Sequence, residues 1–240
     1  MEKENVGALL RANSYPGRTI LLGRDETGEH AVIAYAIMGR SANSRNRVFT
    51  PRDGGIVTEA ADPAKLADPS LIIYAPVRVL GGDTIVTNGD QTDTIYDALS
   101  AGGSFEDALR ARTFEPDAPN FTPRVSGLVR LAGGGCSFRL SILKSDCGDG
   151  RQCLRYFYEY EHPAPGEGRL ISTYRRDGSP IPSFEGEPIR VGVAGGIDAF
   201  GALLWESFDE ANKVSLFVRY LRLSDGAAED RIYNKYKKLG

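Results

Sequence analysis

The chain has 240 residues, 41% of them hydrophobic and 25% charged, enough for a sizeable core and too apolar for wholesale disorder. Its 29 Lys and Arg are outnumbered by 32 Asp and Glu, giving a formal net charge of −3, which argues against general nucleic-acid binding. Three cysteines (Cys136, Cys147 and Cys153), a charged start at Met1–Asn5 and no apolar run of membrane-spanning length point to a reducing cytoplasm and no membrane partner. Without a CxxC pair or a neighbouring histidine, no metal site is expected.

Residues 1–14 read as a helical or loose lead-in. Tyr15-Pro16-Gly17-Arg18 is a turn and Thr19–Gly23 a first strand. Asp25–Glu29 has hairpin-turn chemistry and leads into Ala31–Met38, an apolar run that reads as a buried strand. Gly39–Arg47 follows as a polar loop. Short strand pieces at Val48-Phe49 and Gly55–Thr58 flank a turn at Pro51–Gly54. Asp68-Pro69-Ser70 breaks the chain before the apolar run Leu71–Leu80, and Thr84–Thr87 is a further strand.

Helices are predicted at Gln91–Ser100, capped by Asp90 or Thr92, and after Ser104. Strands follow at Val125–Leu131, Ser137–Lys144, Leu154–Tyr160 and Arg169–Tyr174, with Gly133–Gly135 as a turn. The last part is predicted as a helix over Asp198–Glu210, a strand over Val214–Leu223 and an amphipathic helix over Ala228–Lys238. Strands in antiparallel-looking runs with helices grouped between them favour an α+β fold. No repeat or linker divides the chain, so residues 1–240 read as one domain. Neither a GxGxxG turn nor a GxxxxGK[ST] loop is present.

Three polar stretches carry the candidate chemistry. Gly39–Arg47 holds Arg40, Arg45 and Arg47 among Ser41, Asn43, Ser44 and Asn46 with no carboxylate, which suits a small anion. Thr87–Thr94 gathers Asn88, Gln91, Thr92 and Asp93 where a strand hands over to a helix, a place that attracts anions and polar carbonyls. Glu115–Gly127 brings Glu115, Asp117, Asn120, Thr122 and Arg124 ahead of a strand. His30 and His162 both read as exposed loop residues, and no GxSxG elbow supports a serine triad.

Taken together, these stretches resemble the archaeal-type IMP cyclohydrolase family. The resemblance rests on Tyr15-Pro16-Gly17-Arg18, Gly39-Arg40-Ser41 with Arg45-Asn46-Arg47, Tyr74 within Ile72–Arg78, Asn88-Gly89-Asp90-Gln91-Thr92-Asp93, and Thr122-Pro123-Arg124-Val125. The chain departs from the family in a longer arginine loop, leaving Arg45 and Arg47 as alternative matches, and in residues 1–14, which read as an N-terminal extension. The resemblance implies a four-layer αββα sandwich like that of the N-terminal nucleophile hydrolases, without an N-terminal nucleophile, and no metal or redox cofactor.

The activity implied is closure of 5-formamidoimidazole-4-carboxamide ribonucleotide to inosine monophosphate in purine biosynthesis. Arg45 and Arg47 are then expected at the 5′-phosphate or the developing oxyanion, with Arg40 or Arg124 as a supporting charge. Tyr74 is expected as a hydrogen-bond donor or proton relay, and Glu115 as the group that takes the carboxamide proton or assists dehydration. Ser41, Asn46, Asn88, Gln91, Thr92 and Asp93 are expected to hold the substrate. A related amidohydrolase and a non-catalytic purine-nucleotide-binding module remain the alternatives. Self-association as a homo-oligomer is left open.

Overall fold

The computed structural model describes residues 2–66 and 73–238. A short helix α1 (Val6–Arg11) precedes strands β1 (Arg18–Arg24) and β2 (His30–Met38). Helix α2 (Ala42–Arg45) is followed by β3 (Arg47–Arg52), β4 (Gly55–Ala60), β5 (Val77–Leu80) and β6 (Asp83–Thr87). Helices α3 (Gln91–Ser100) and α4 (Phe105–Arg110) then give way to β7 (Arg124–Ala132), β8 (Gly135–Asp146), β9 (Asp149–Tyr160), β10 (Glu167–Ser172) and β11 (Ile189–Gly192). The chain finishes with α5 (Ile197–Ser207), β12 (Lys213–Arg222) and β13 (Ala228–Asn234). Among the described residues no helix is long and apolar enough to cross a membrane.

The protein is α+β, with two antiparallel sheets and few helices. The six-stranded sheet runs β11-β10-β1-β2-β12-β13 and the seven-stranded sheet β3-β4-β5-β6-β7-β8-β9. β2 shows how the sequence builds this. Ile33, Tyr35 and Ile37 point between the sheets, against Val86, Val125 and Ile142, whereas Val32, Ala34 and Ala36 join Val6, Leu10, Phe200 and Leu204 from α1 and α5. Both faces are covered, so the strand is apolar at nearly every position instead of alternating. On the other side of the molecule, Ile85, Leu128 and Leu143 pack against Ile95, Phe105 and Leu109 of α3 and α4. Each fully buried aliphatic or aromatic side chain in these layers contributes about 1.5–3 kcal/mol of transfer free energy.

Several expectations change. Gly39–Arg47 is not an open loop: Ser41 caps α2, accepting from the Ser44 amide, while the Ser44 hydroxyl accepts from the Ser41 amide. His30 begins β2, and its Nδ1 lies 3.0 Å from the buried Asp25 carboxylate, so it is no free loop residue. The break at Asp68–Ser70 and the start of the Leu71–Leu80 run lie outside the described residues, and strand geometry begins only at Val77.

The helix predicted over Ala228–Lys238 is strand β13 over its first part, paired with β12 from Ser215↔Asn234 to Leu221↔Ala228. Ile232 turns to the inter-sheet core and Tyr233 to the opposite layer, a period of two. β11, a short edge strand next to β10, was not expected at all.

Two details fix the ends of β1 and β3. Gly17 has φ of +77°, and a Cβ there would lie 2.2 Å from Thr173 Oγ1, so only glycine fits the turn that delivers Arg18. Asn234 of one sheet clasps Phe49 of the other. Its Nδ2 donates to the Phe49 carbonyl at 3.0 Å, and its Oδ1 accepts from the Phe49 amide at 2.9 Å.

Candidate active site

The residues that open β1 and β3 are both arginines, and both point inward. Arg47 is 1% exposed. Its Nε donates to the Ser44 carbonyl at 2.8 Å and its Nη2 to the Met38 carbonyl at 3.1 Å, which locks the guanidinium plane against the backbone around α2. Among the described residues its Nη1 has no hydrogen-bond partner and Arg47 forms no ion pair with a carboxylate. Burial, reinforced by the charge of Arg18 and opposed by the phenols of Tyr74 and Tyr35, holds its pKa below the usual arginine value. The group nevertheless stays a cation at any physiological pH.

Arg18 reaches Glu115 Oε2 with Nη2 at 3.5 Å, and among the described residues its buried Nε is unpartnered. Burial works against this cation too, but Glu115 and the surrounding tyrosines more than compensate and raise its pKa well above the ordinary value.

Glu115 sits in the segment between α4 and β7 and is 2% exposed. Its backbone amide donates to the Thr122 carbonyl at 2.9 Å, closing the loop that carries it. Burial pushes its carboxyl pKa up, and the nearby Arg18, Arg124 and Arg47 only partly offset this. The three guanidiniums, from the starts of β1, β3 and β7, therefore act on one carboxyl.

The floor of the cluster comes from the β6–α3 junction. Asn88 donates to the Pro123 carbonyl at 2.9 Å and faces Glu115 Oε1 at 3.4 Å, and its Oδ1 accepts from Gln91 Nε2 and the Val125 amide. Arg124 Nη1 is held by Gln91 Oε1 at 2.6 Å and Asp90 Oδ1 at 2.7 Å. Asp90 does precede α3, as expected, but makes no side-chain cap; it spends its carboxylate on Arg124 and Arg112 instead. Gly89 lies against this network. A Cβ on it would be 2.6 Å from Arg124 Nη1 and 2.7 Å from Gln91 Oε1.

Tyrosines complete the site. The Tyr74 and Tyr35 hydroxyls are 2.7 Å apart, Tyr35 being wholly buried. Tyr74 is anchored through its backbone, its amide donating to Thr58 Oγ1 at 2.8 Å and its carbonyl accepting from the Thr58 amide at 2.9 Å. Burial and the Tyr74 phenol raise the Tyr35 pKa well above the usual value. Tyr174, stacked on Tyr15, shares a 2.6 Å hydrogen bond with Thr122, whose amide and hydroxyl in turn donate to Asp117. Burial, opposed by Arg18, lifts the Tyr174 pKa to about 12.

Of the residues singled out from the sequence, Arg47, Tyr74, Glu115, Asn88, Gln91 and Arg124 come together. The others do not meet them. Arg40 is exposed, paired with Asp177 at 2.5 Å and lying over the Tyr15 ring. The Ser41 hydroxyl is used in capping α2. Arg45 donates to the Gly39 carbonyl and Asn212, and Asn46 pins the backbone of Asp62 on both sides. Both border a separate cleft of about 470 Å³ with Lys65 and Tyr236.

Thr92 bonds Thr87 and the Gly89 carbonyl and so shapes the junction from behind. Asp93 turns to solvent and pairs with Arg78 at 2.8 Å. Arg18, Tyr35, Asp117 and Tyr174 also belong to the cluster; the sequence places Arg18 in a shared motif and Asp117 in the third polar stretch without assigning either a task, and singles out neither tyrosine. The signal available for Arg18 was its place directly after a turn glycine.

The cluster joins a carboxyl able to take up and return a proton, buried guanidinium N–H groups left without a partner among the described residues, and a hydroxyl pair able to relay a proton. Comparison with known proteins follows the same line. Residues 15–226 match the family model described as IMP cyclohydrolase-like protein. The IMP cyclohydrolase of Methanopyrus kandleri is 30% identical over 164 residues, 67% of this chain and 75% of that protein. Those of Methanothrix thermoacetophila and Halobacterium salinarum are 27% and 28% identical, covering 72% and 71% of this chain and 80% and 78% of theirs.

Proposed function

Because the chain belongs to the IMP cyclohydrolase-like family, we propose that it is an IMP cyclohydrolase and that the Arg18–Arg47–Glu115 cluster is its catalytic centre. It closes 5-formamidoimidazole-4-carboxamide ribonucleotide to inosine monophosphate with loss of water. The observation that carries the site is Arg47, a wholly buried guanidinium with an open Nη1 and no carboxylate partner among the described residues. A buried charge left uncompensated is costly, so this arrangement is made for a group that arrives with the substrate.

In the reaction the carboxamide nitrogen attacks the formyl carbon, a C–N bond forms, and the formyl oxygen becomes an oxyanion. Arg47 Nη1 and Arg18 Nε supply donors to the anionic oxygens of the substrate. Such a donor at a developing oxyanion is worth about 2.7–4 kcal/mol. Glu115 accepts the proton released from the carboxamide nitrogen and returns it to the departing hydroxyl, which leaves as water. Its raised pKa suits both halves of that task. The Tyr74–Tyr35 pair relays a proton to the formyl oxygen and regains one from the formamide N–H, which is lost as the C–O bond breaks and the ring C=N bond forms. Asn88, Gln91 and Arg124 orient the carboxamide and hold Glu115 in place. Since the two reacting groups already share one molecule, the gain from proximity is smaller than the roughly 7–11 kcal/mol of a bimolecular case, and electrostatics carries more of the rate.

In this reading the whole chain is one domain, its two facing sheets and outer helices form an αββα sandwich of the N-terminal nucleophile hydrolase type, and the protein works in the cytoplasm. The test is direct. Purified protein mixed with the formylated ribonucleotide should produce the absorbance of the hypoxanthine ring; binding without ring closure would reject the reading.

A further inference from the structure

A second feature of the molecule concerns the far edge of the seven-stranded sheet. β9 pairs with β8 on one side, and among the described residues no strand pairs with it on the other. A long open edge presents unpaired backbone N–H and C=O groups, which proteins ordinarily shorten, cover or crowd with charge. The remaining edges are treated in those ways. β11 is four residues long and Glu4 bridges to its Val191. β3 is clasped by Asn234 at Phe49, and β13 carries Glu229, Asp230 and Arg231. β9 is twelve residues long.

Its central stretch is Arg155-Tyr156-Phe157-Tyr158-Glu159. Arg155, Tyr156 and Glu159 are exposed. Among the described residues Arg155 donates to the carbonyls of Arg112 and Cys153 and has no carboxylate partner, whereas Glu159 pairs with Arg139 of β8 through one carboxylate oxygen and stays half exposed. Arg155, Phe157 and Glu159 lie on the helix-bearing face, where Phe157 packs with the α3 and α4 layer, and Tyr156 and Tyr158 on the other. The order of charges is complementary to its own reverse.

We propose that two copies of this chain join edge to edge along β9, antiparallel, about a two-fold axis at Phe157. In that register Arg155 of each copy stands opposite Glu159 of the other, Tyr156 stands opposite Tyr158, and Phe157 meets its own counterpart. Directly opposed aromatic pairs and opposite charges are the favourable cross-strand combinations, and like charges the unfavourable ones. Only registers centred on a residue keep two-fold symmetry. Centring on Arg155 or Glu159 opposes like charges, and centring on Tyr156 sets Arg155 against Phe157. Centring on Tyr158 sets Glu159 against Phe157 and needs Glu161, beyond the strand end at Tyr160. The seven-stranded sheets of the two copies then become one continuous sheet.

Sedimentation velocity of the full chain over a concentration series tests this. The wild type should associate, and Arg155→Glu and Glu159→Arg should each raise the dissociation constant by about tenfold or more through like-charge opposition. The double variant Arg155→Glu/Glu159→Arg should recover association. Unfolding curves establish that each variant is native, and Tyr156→Glu, at an exposed position, decides the matter if a charge reversal is not. A wild type that stays monomeric, association untouched by the single reversals or by Tyr156→Glu, or a double variant no better than the singles would overturn the proposal. None of these positions belongs to the catalytic cluster, so the outcome is independent of ring closure.

Discussion

The Arg18 guanidinium stands 3.5 Å from the Glu115 carboxylate, Glu115 being buried and Arg18 largely so. A tight charge-assisted contact would be nearer about 2.7–2.9 Å. The separation leaves Glu115 incompletely compensated, which is why burial wins and its pKa rises although three arginines act on it. It also leaves Arg18 with donor capacity to spare. A loose pair of this kind is poor as a structural clamp and well suited to chemistry in which a proton and an oxyanion pass between the partners.

Glu115→Gln should lower kcat for ring closure by about a hundred- to ten-thousandfold. The carboxylate is the reactive form, so wild-type activity should fall as pH drops through the raised pKa, at higher pH than an ordinary glutamate would give. A pH–rate profile of the Gln variant should lack that limb. Stability moves the opposite way: the folded state holds the proton more tightly than the unfolded chain, so this contribution is present below the ordinary glutamate pKa and lost as pH rises through the raised one.

The Tyr35–Tyr74 contact predicts coupled losses. Tyr74→Phe strands the Tyr35 hydroxyl in a wholly buried position, costing about 1–3 kcal/mol of stability, and should lower kcat by about a hundredfold with KM little changed. Tyr35→Phe should be comparable in stability, and the double variant less destabilised than the sum. Denaturant unfolding with steady-state kinetics on all three measures this.

Gly89→Ala introduces a methyl group within 2.7 Å of Arg124 Nη1 and Gln91 Oε1, displacing the groups that hold Glu115 and the substrate. A shift of about 1 Å in such a network costs roughly a hundredfold in kcat/KM. Gly192→Ala, whose Cβ would meet no atom within 4 Å, is the matched control and should be near wild type.

Much of this was legible beforehand. The α3 limits, the Ser104 cap of α4 and most strands follow from apolar periodicity and turn residues. The Asn88–Asp93 motif led to the strand–helix junction where Asn88 and Gln91 do enter the cluster. The losses have physical causes. Tyr35 looks like any core tyrosine, because its hydrogen-bond partner lies 39 residues later in the chain. Ser41 is expected from the sequence to hold the substrate, but its spacing to Ser44 satisfies both serines' backbone amides, and Arg45 and the buried Asn46 bond Gly39, Asn212 and Asp62 instead of the cluster. Ala228–Asn234 has enough polar residues to suit a helix, and the unpaired edge of β12, invisible in local sequence, drew it into strand pairing.

Asn234→Ala removes both hydrogen bonds to Phe49 and so loosens the strand that begins at Arg47. The expected cost is about 1–2 kcal/mol in thermal or denaturant unfolding, accompanied by a raised KM. An unchanged midpoint would show that the clasp between the sheets is not used.

In the proposed mechanism Arg47, not the exposed Arg40 of the same motif, serves the reaction. The decisive measurement is kcat/KM for ring closure in Arg47→Met and Arg40→Ala, with melting curves for both. Arg47→Met should lose about a hundred- to a thousandfold while keeping a cooperative melting transition at a lowered midpoint, since no carboxylate is left uncompensated among the described residues but the Ser44 and Met38 carbonyls lose their donors. Arg40→Ala should stay close to wild type. Near-normal turnover in Arg47→Met, or loss confined to Arg40→Ala, would contradict it.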